Sequence, residues 1–243
     1  MTSPIKVSII PVLKDNYAYL LQSASGAVAV VDPGEAAPVI TFLKRFDLKP
    51  DYIFITHHHA DHIDGVQELK ETYNPKVVGP RAEANKIKLL DEKLDEDSIF
   101  TFGNERIRII STPGHTNGHI SYYFPHSGIL FSGDTLFSMG CGRLFEGTPH
   151  EMFLSLQKLK ALPDETLVYC GHEYTISGAK FGHHIEPNNE DIKLQLELAK
   201  DLRKKDTPTL PSTIGMEKKT NVFLRAKTAA EFADIRRKKD IFS

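Results

Sequence analysis

The stretch Thr56-His57-His58-His59-Ala60-Asp61-His62 crowds four imidazoles and a carboxylate into six consecutive positions. Neither core packing nor turn chemistry calls for so many coordinating groups at this spacing, whereas a metal site does. The apolar run ending at Thr56 is extended, so residues two apart share a side: His57 and His59 can converge on one ion while His58 faces away. The chain then turns into a helix expected to begin near His62, which aims Asp61 and His62 at a second point nearby. Imidazole and carboxylate without thiolate suit zinc, manganese or iron, and point to catalysis rather than to a closed structural zinc centre.

Three later segments offer further ligands: "STPGHTNGH" with His115, "FSGDTLF" with Asp134 and "YCGHEYT" with His172. Each follows or interrupts a strand-like run beside a glycine, where the backbone can turn sharply and thrust a polar side chain into a shared cleft. On this reading His57, His59 and His115 hold one ion, Asp61, His62 and His172 hold the other, and Asp134 reaches both. Taken alone, His115 or His172 reads as an ordinary hydrogen-bonded histidine and Asp134 as a turn residue. His58, His119, His126, His150, His183 and His184 read as surface, turn or supporting residues.

The elements that position these groups are legible as well. "IKVSII", "NYAYLLQ", "GAVAVVDPG" and "PDYIFIT" read as strands, and "EAAPVITFLKRF" and "HIDGVQELKETY" carry apolar residues at helical spacing. A second strand series follows in "RIRIIST", "HISYYF" and "GILFSGDTLF". Two strand sets separated by helices predict two sheets packed together with helices outside. From about residue 171 the pattern becomes helical. There Ile192, Leu196, Ala199 and Leu202 form one apolar stripe behind asparagines suited to capping.

Length and composition narrow the class. The chain has 243 residues, 40% of them hydrophobic and 26% charged, with a formal charge of -2, so it is globular and nucleic acid is not its default partner. Cys141 and Cys170 cannot build a disulfide framework, which fits a reducing compartment. Lys6, Lys14 and Asp15 interrupt the apolar amino terminus, unlike a secretory signal, and no run approaches the roughly 20 apolar residues of a membrane span. A cytoplasmic protein without membrane contact or obligate protein partner is expected. The last 30 residues hold eight Lys or Arg against four acidic residues and include "RRKKD".

Thr56, His57, His59, Asp61 and His62 match the T-H-x-H-x-D-H signature of the metallo-β-lactamase superfamily, and the later histidine, aspartate and histidine follow in the same order. More closely, "THHHADH", "TPGHTNGH", "FSGDTLFSMGCGRLFEGT" and "GHEYT" resemble the glyoxalase II (hydroxyacylglutathione hydrolase) branch. The resemblance implies a four-layer αβ/βα sandwich over residues 1–170 and a smaller, mainly helical glutathione-binding domain over residues 171–243. It further implies two divalent ions, with zinc the first expectation and iron or manganese as alternatives. The implied reaction is hydrolysis of S-D-lactoylglutathione to glutathione and D-lactate by a hydroxide shared between the metals, the second step of methylglyoxal detoxification.

In that branch glutathione is held by side chains that correspond here to Arg143, Tyr174, Arg236 and Lys239. Glutathione carries two carboxylates, which suit a forked guanidinium and a compact ammonium. Phe145 stands among these contacts where the family often has tyrosine, Asp64 replaces a small residue, and Gly178 stands where asparagine is frequent. Asp61 and Asp134 are the expected catalytic carboxylates, and neither cysteine is assigned a catalytic role. The rival expectations are a glutathione persulfide dioxygenase or another hydrolase of the superfamily, and a noncatalytic metal-binding interaction protein.

Overall fold

The computed structural model describes residues 5–242. The first half builds β1 (Lys6–Val12), β2 (Asn16–Gln22), β3 (Val28–Val31), α1 (Ala36–Arg45), β4 (Tyr52–Phe54), α2 (Ala60–Ile63), α3 (Val66–Tyr73), β5 (Lys76–Pro80) and β6 (Glu92–Leu94). These strands form one sheet in the order β1-β2-β3-β4-β5-β6, antiparallel up to β3 and parallel from there on. Then follow β7 (Phe100–Phe102), β8 (Glu105–Ser111), β9 (Ile120–Phe124), β10 (Ile129–Gly133), the hairpin strands β11 (Leu136–Phe137) and β12 (Gly140–Cys141), α4 (Pro149–Lys160) and β13 (Leu167–Cys170). The remainder is α5 (Thr175–Ile185), α6 (Glu190–Arg203), β14 (Ser212–Thr213), α7 (Ile214–Thr220), α8 (Val222–Arg225) and α9 (Ala229–Asp240). The second sheet runs β14-β13-β10-β9-β8-β7, so the helical region contributes its edge strand.

Strand periodicity builds the layers. In β2, Tyr19 and Leu21 enter a core between the two sheets, while Ala18 and Leu20 turn to a second core under α1 and α3. In β10, Ile129 and Phe131 point to the shared core, and Leu130 points to a third one beneath α4 and the C-terminal helices. The shared core is aromatic: Phe54 lies 5.2 Å from Tyr122 and edge-on to Phe102 at 5.7 Å. Complete burial of such side chains contributes about 1.5–3 kcal/mol each. The result is the helix-sheet-sheet-helix sandwich that the two strand series predict.

Local breaks depart from simple periodicity. The run "HIDGVQELKETY" is two helices, not one, and the first begins at Ala60 rather than near His62, so Asp61 and His62 lie in a single short turn. "GILFSGDTLF" is likewise split, because Gly133 takes a left-handed φ of +48° and ends β10. A Cβ at Gly133 would meet Thr56 Oγ1 at 2.5 Å, so only glycine allows the turn that throws Asp134 inward. Along α6, capped by Asn189, Ile192, Leu196 and Ala199 are buried, but Leu202 is 37% exposed because the last turn runs past the packed stripe.

Candidate active site

All seven expected ligand side chains come together where β4, α2, the loop after β8, the turn after β10 and the end of β13 meet. Ligand atoms of His57, His59 and His115 lie within 4.8 Å of one another, and those of Asp61, His62 and His172 form a second such group. Asp134 stands between them, with Oδ2 3.4 Å from His115 Nε2 and 3.2 Å from His172 Nε2, and Oδ1 3.4 Å from His62 Nε2.

Hydrogen bonding sets the imidazole tautomers in the first group. Thr56 Oγ1 donates to Asp32 Oδ2 at 2.6 Å, so it accepts from His57 Nδ1 at 3.0 Å. His115 Nδ1 donates to the Arg143 carbonyl at 2.8 Å. The inward nitrogens, His57 Nε2 and His115 Nε2, are therefore bare lone pairs, and they face His59 Nδ1 at 3.1 and 2.9 Å. One proton on His59 cannot satisfy both, whereas a cation satisfies all three; nitrogens bound tetrahedrally to zinc sit about 3.3 Å apart. Burial holds His57, His59 and His115 below the ordinary histidine value, in the neutral form that ligation requires.

The second group has the opposite electrostatics. His62 Nδ1 donates to Asp32 Oδ2 at 3.0 Å and His172 Nδ1 to Asp15 Oδ1 at 2.9 Å, which turns both Nε2 atoms toward carboxylates. Burial works against a charge on either ring, but the negative charge of Asp134 outweighs it: His62 is raised well above the ordinary value and His172 is pushed up to about 10. Among the described residues, the buried His62 Nε2 and Asp134 Oδ1 have no hydrogen-bond partner. Such a nest of carboxylates and inward nitrogens demands positive charge, and its donor set fits a divalent cation.

Of the residues that support the ligands, Asp32, Asn16 and Glu83 escaped the sequence reading, whereas His58 and His119 were among the histidines read as surface, turn or supporting. Asp32, which reads as a turn residue in "VDPG", orients His62 and also accepts from the Thr56 amide at 2.8 Å. Asn16 donates to Asp61 Oδ2 at 2.8 Å. His119, buried and neutral, accepts the Asp134 amide proton on Nε2 at 3.1 Å, so it steadies the backbone of the shared carboxylate. Glu83 joins two ligand loops, accepting from His58 Nδ1 at 2.9 Å, from the Gly118 amide at 3.1 Å and from Thr116 Oγ1. His58 thus does face away from the ion groups.

A pocket of about 650 Å³ opens over the site, with His59, Asp61, His115, Asp134 and His172 in its wall. His57 and His62 lie buried behind that wall. Arg143, Phe145, Tyr174, Arg236 and Lys239 line it as well, with Arg143, Arg236 and Lys239 close enough to act on one another's charge. Tyr174 stacks on His172 at 4.7 Å, and Phe145 meets the His59 and His115 rings edge-on at 5.5 and 5.2 Å. Lys239 donates to Ser177 Oγ at 2.9 Å; burial first, then the charges of Arg236 and Arg143, lower its pKa. Asp240 pairs with Arg236 at 2.9 Å in the same lining, so three cations against one carboxylate leave this part of the pocket net positive and attractive to an anion. Asp64 is solvent-exposed at the end of α2 and does not line the pocket.

The cysteines do not supply a nucleophile. Burial pushes the Cys141 thiol up to about 11 and the Cys170 thiol up to about 12, so both stay protonated near neutrality.

A metallo-β-lactamase superfamily model matches residues 13–172, and the layered fold and the paired clusters together define a member of that superfamily. The solved structure of ETHE1 from Myxococcus xanthus superposes with a TM-score of 0.74 at 25% identity, covering 99% of this chain and 92% of that one. A hydroxyacylglutathione hydrolase C-terminus model matches residues 173–242. The hydroxyacylglutathione hydrolase of Bartonella henselae is 47% identical over 244 residues, spanning 94% of this chain and 96% of the relative. That of Brucella anthropi is 46% identical over 243 residues, spanning 94% of both. The chain belongs to the hydroxyacylglutathione hydrolase family.

Proposed function

We propose that this chain is a binuclear metallohydrolase that cleaves the thioester of S-D-lactoylglutathione, and of related 2-hydroxyacylglutathiones, to glutathione and D-lactate. One observation supports the reading: two groups of ligand-type side chains on either side of Asp134 border a pocket that Arg143, Arg236 and Lys239 also line. His57, His59 and His115 would hold one divalent ion and Asp61, His62 and His172 the other. Zinc is the ion we assign, with iron and manganese accepted by the same donors. We further assign residues 1–170 to the catalytic domain, residues 171–243 to a domain that binds the glutathione arm, and the protein to the cytoplasm. No helix among the described residues is long and apolar enough to cross a membrane.

Divalent ions bound here supply Lewis acidity, lowering the pKa of water toward neutrality and polarising a carbonyl. The chain's own groups do the rest. Asp61, held by Asn16 and kept ionised because His172, His62 and Asn16 outweigh the effect of burial, is placed to orient the attacking water. Arg143, Tyr174, Arg236 and Lys239 position the glutathione arm, and Phe145 covers the first ligand group with an apolar ring. Hydrolysis joins the water oxygen to the carbonyl carbon and breaks the C–S bond. The sulfur leaves as thiolate and takes up a proton from solvent.

Purified, metal-loaded protein should consume S-D-lactoylglutathione, read as loss of thioester absorbance. Oxygen uptake with glutathione persulfide and no thioester turnover would establish the dioxygenase instead. Partner capture by the C-terminal helices with neither reaction would establish the interaction protein.

A further inference from the structure

The hairpin β11–β12 begins two residues after Asp134 and ends two residues before Arg143, so it joins the shared carboxylate to the cationic part of the pocket. Phe137, Gly140 and Cys141 from this hairpin line the pocket. It is a two-stranded ribbon of two residues per strand, too short to hold its own shape in water. Met139 at its tip adopts a left-handed φ of +60°. Its position must therefore be imposed from outside.

At its base Ser132 Oγ of β10 donates to the Leu136 carbonyl at 2.7 Å, and the C-terminal helices hold the rest. Glu217 on α7, fully buried, accepts from the Met139 amide at 2.8 Å, from Asn221 Nδ2 at 2.9 Å and from Ser212 Oγ at 2.5 Å. Asn221, also fully buried, passes the connection on: the two hydrogens of its Nδ2 are shared among Glu217 and the carbonyls of Gly140 at 2.9 Å and Phe137 at 3.2 Å. Its Oδ1 meanwhile caps α8 through the Phe223 and Leu224 amides. On the far side, Gly178 of α5 sits so close to the tip that a Cβ there would meet the Met139 carbonyl oxygen at 2.5 Å. Arg236 closes the same hairpin through the Cys141 carbonyl at 3.0 Å.

We propose that Glu217 and Asn221 are positioning residues, a buried latch that clamps the 136–141 hairpin to the C-terminal helices and so sets the distance from Asp134 to the cationic part of the pocket. Neither side chain lines the pocket, so the latch acts on the substrate through the hairpin and, for Asn221, also through the α8 cap beneath Phe223, which Asn221→Ser retains. A buried carboxyl and carboxamide suit this use, because they bind backbone amides and carbonyls that a hairpin this short cannot pair internally. The consequence is specific: loosening the latch weakens capture of the glutathione arm but leaves the ligand clusters intact, since no ligand hydrogen bond passes through Glu217 or Asn221. The inference rests on the thioesterase reading for its kinetic consequence, but not for its structural one.

Two substitutions separate the latch from general stability. Glu217→Ala removes the acceptor, and Asn221→Ser keeps a good helix cap while losing the amide that reaches the two carbonyls. Each should raise KM for S-D-lactoylglutathione about tenfold, with kcat within about twofold of the parent and metal content unchanged. Glu217→Gln keeps the shape and the acceptor oxygen and should restore the parental KM. Hydrogen exchange at amides 137–143 should quicken in the first two variants and not in the third. Folded variants with parental KM and exchange overturn the proposal, and so does a loss of kcat and metal with KM unchanged. If neither Glu217→Ala nor Asn221→Ser folds, the contacts serve stability and the proposal falls. Should the parent hydrolyse no thioester, the functional reading fails, while hydrogen exchange still decides the latch.

Discussion

Asp134 is the side chain on which both ligand clusters depend, since its two oxygens face His62 on one side and His115 and His172 on the other. Asp134→Ala should abolish turnover and lower metal content below two ions per chain by elemental analysis; retention of both ions would remove its bridging role. Asp15 acts one step further out, by accepting the His172 Nδ1 proton at 2.9 Å. Asp15→Ala frees that ring, and loss of such an orienting carboxylate costs about 10–100-fold in metal affinity. Competition with a chromophoric chelator should show the loss for one ion of the pair, and equal loss for both would refute the assignment. The side chains we propose as ligands were legible in the sequence, because neither packing nor turn chemistry calls for imidazoles at that density. Asp15, Asn16 and Asp32 were not, because each is a polar residue at the edge of a strand-like run, with no neighbour in sequence to mark its partner.

At the scale of elements, the basic end of α9 turns from a charged run into a structured surface. Arg236 is buried over the Phe223 ring at 5.0 Å, and Lys239 packs over Phe181 and Phe242 at 5.5 and 5.3 Å. The neighbouring Arg237 and Lys238 are spent on Asp234 and face solvent. Combining Arg236→Ala with Lys239→Ala should raise KM at least about tenfold with little change in kcat, as expected for charge-assisted contacts to a carboxylate. A normal KM would detach the tail from the substrate. Periodicity placed α1, α6 and the main strands, but it ran across the breaks at 64–65 and 134–135. Those breaks come from glycine and aspartate answering to distant neighbours such as Thr56 and Pro33, which no local pattern records.

Over the whole molecule, the C-terminal helices complete the second sheet through β14, cover its outer face and carry a buried acid into the joint. Burial raises the carboxyl of Glu217 above the ordinary glutamate value. Facing it are the Ser138, Ser212 and Asn221 side chains, the Met139 amide and the Cys170 thiol, none of them charged near neutrality. A carboxyl with a raised folded pKa binds its proton more tightly folded than unfolded. Its stabilising contribution is fully present below the unfolded value and is lost as pH rises through the folded one. Glu217→Gln has no such proton to lose. From about pH 4 upward, urea midpoints of the metal-loaded parent should therefore decline relative to Glu217→Gln, and parallel curves for the two would contradict a raised value.

The sequence by itself determined the donor chemistry, because His57, His59, Asp61 and His62 are too close along the chain for any fold to scatter them. It also determined the layers, because strand and helix periods record which face of an element is apolar. The tertiary structure alone decided which nitrogen of each imidazole faces inward, which carboxylates stand behind them, and how the 136–141 hairpin is held. Those outcomes depend on hydrogen bonds between residues as far apart as Asp15 and His172 or Met139 and Glu217, and such bonds exist only after the sheets have packed.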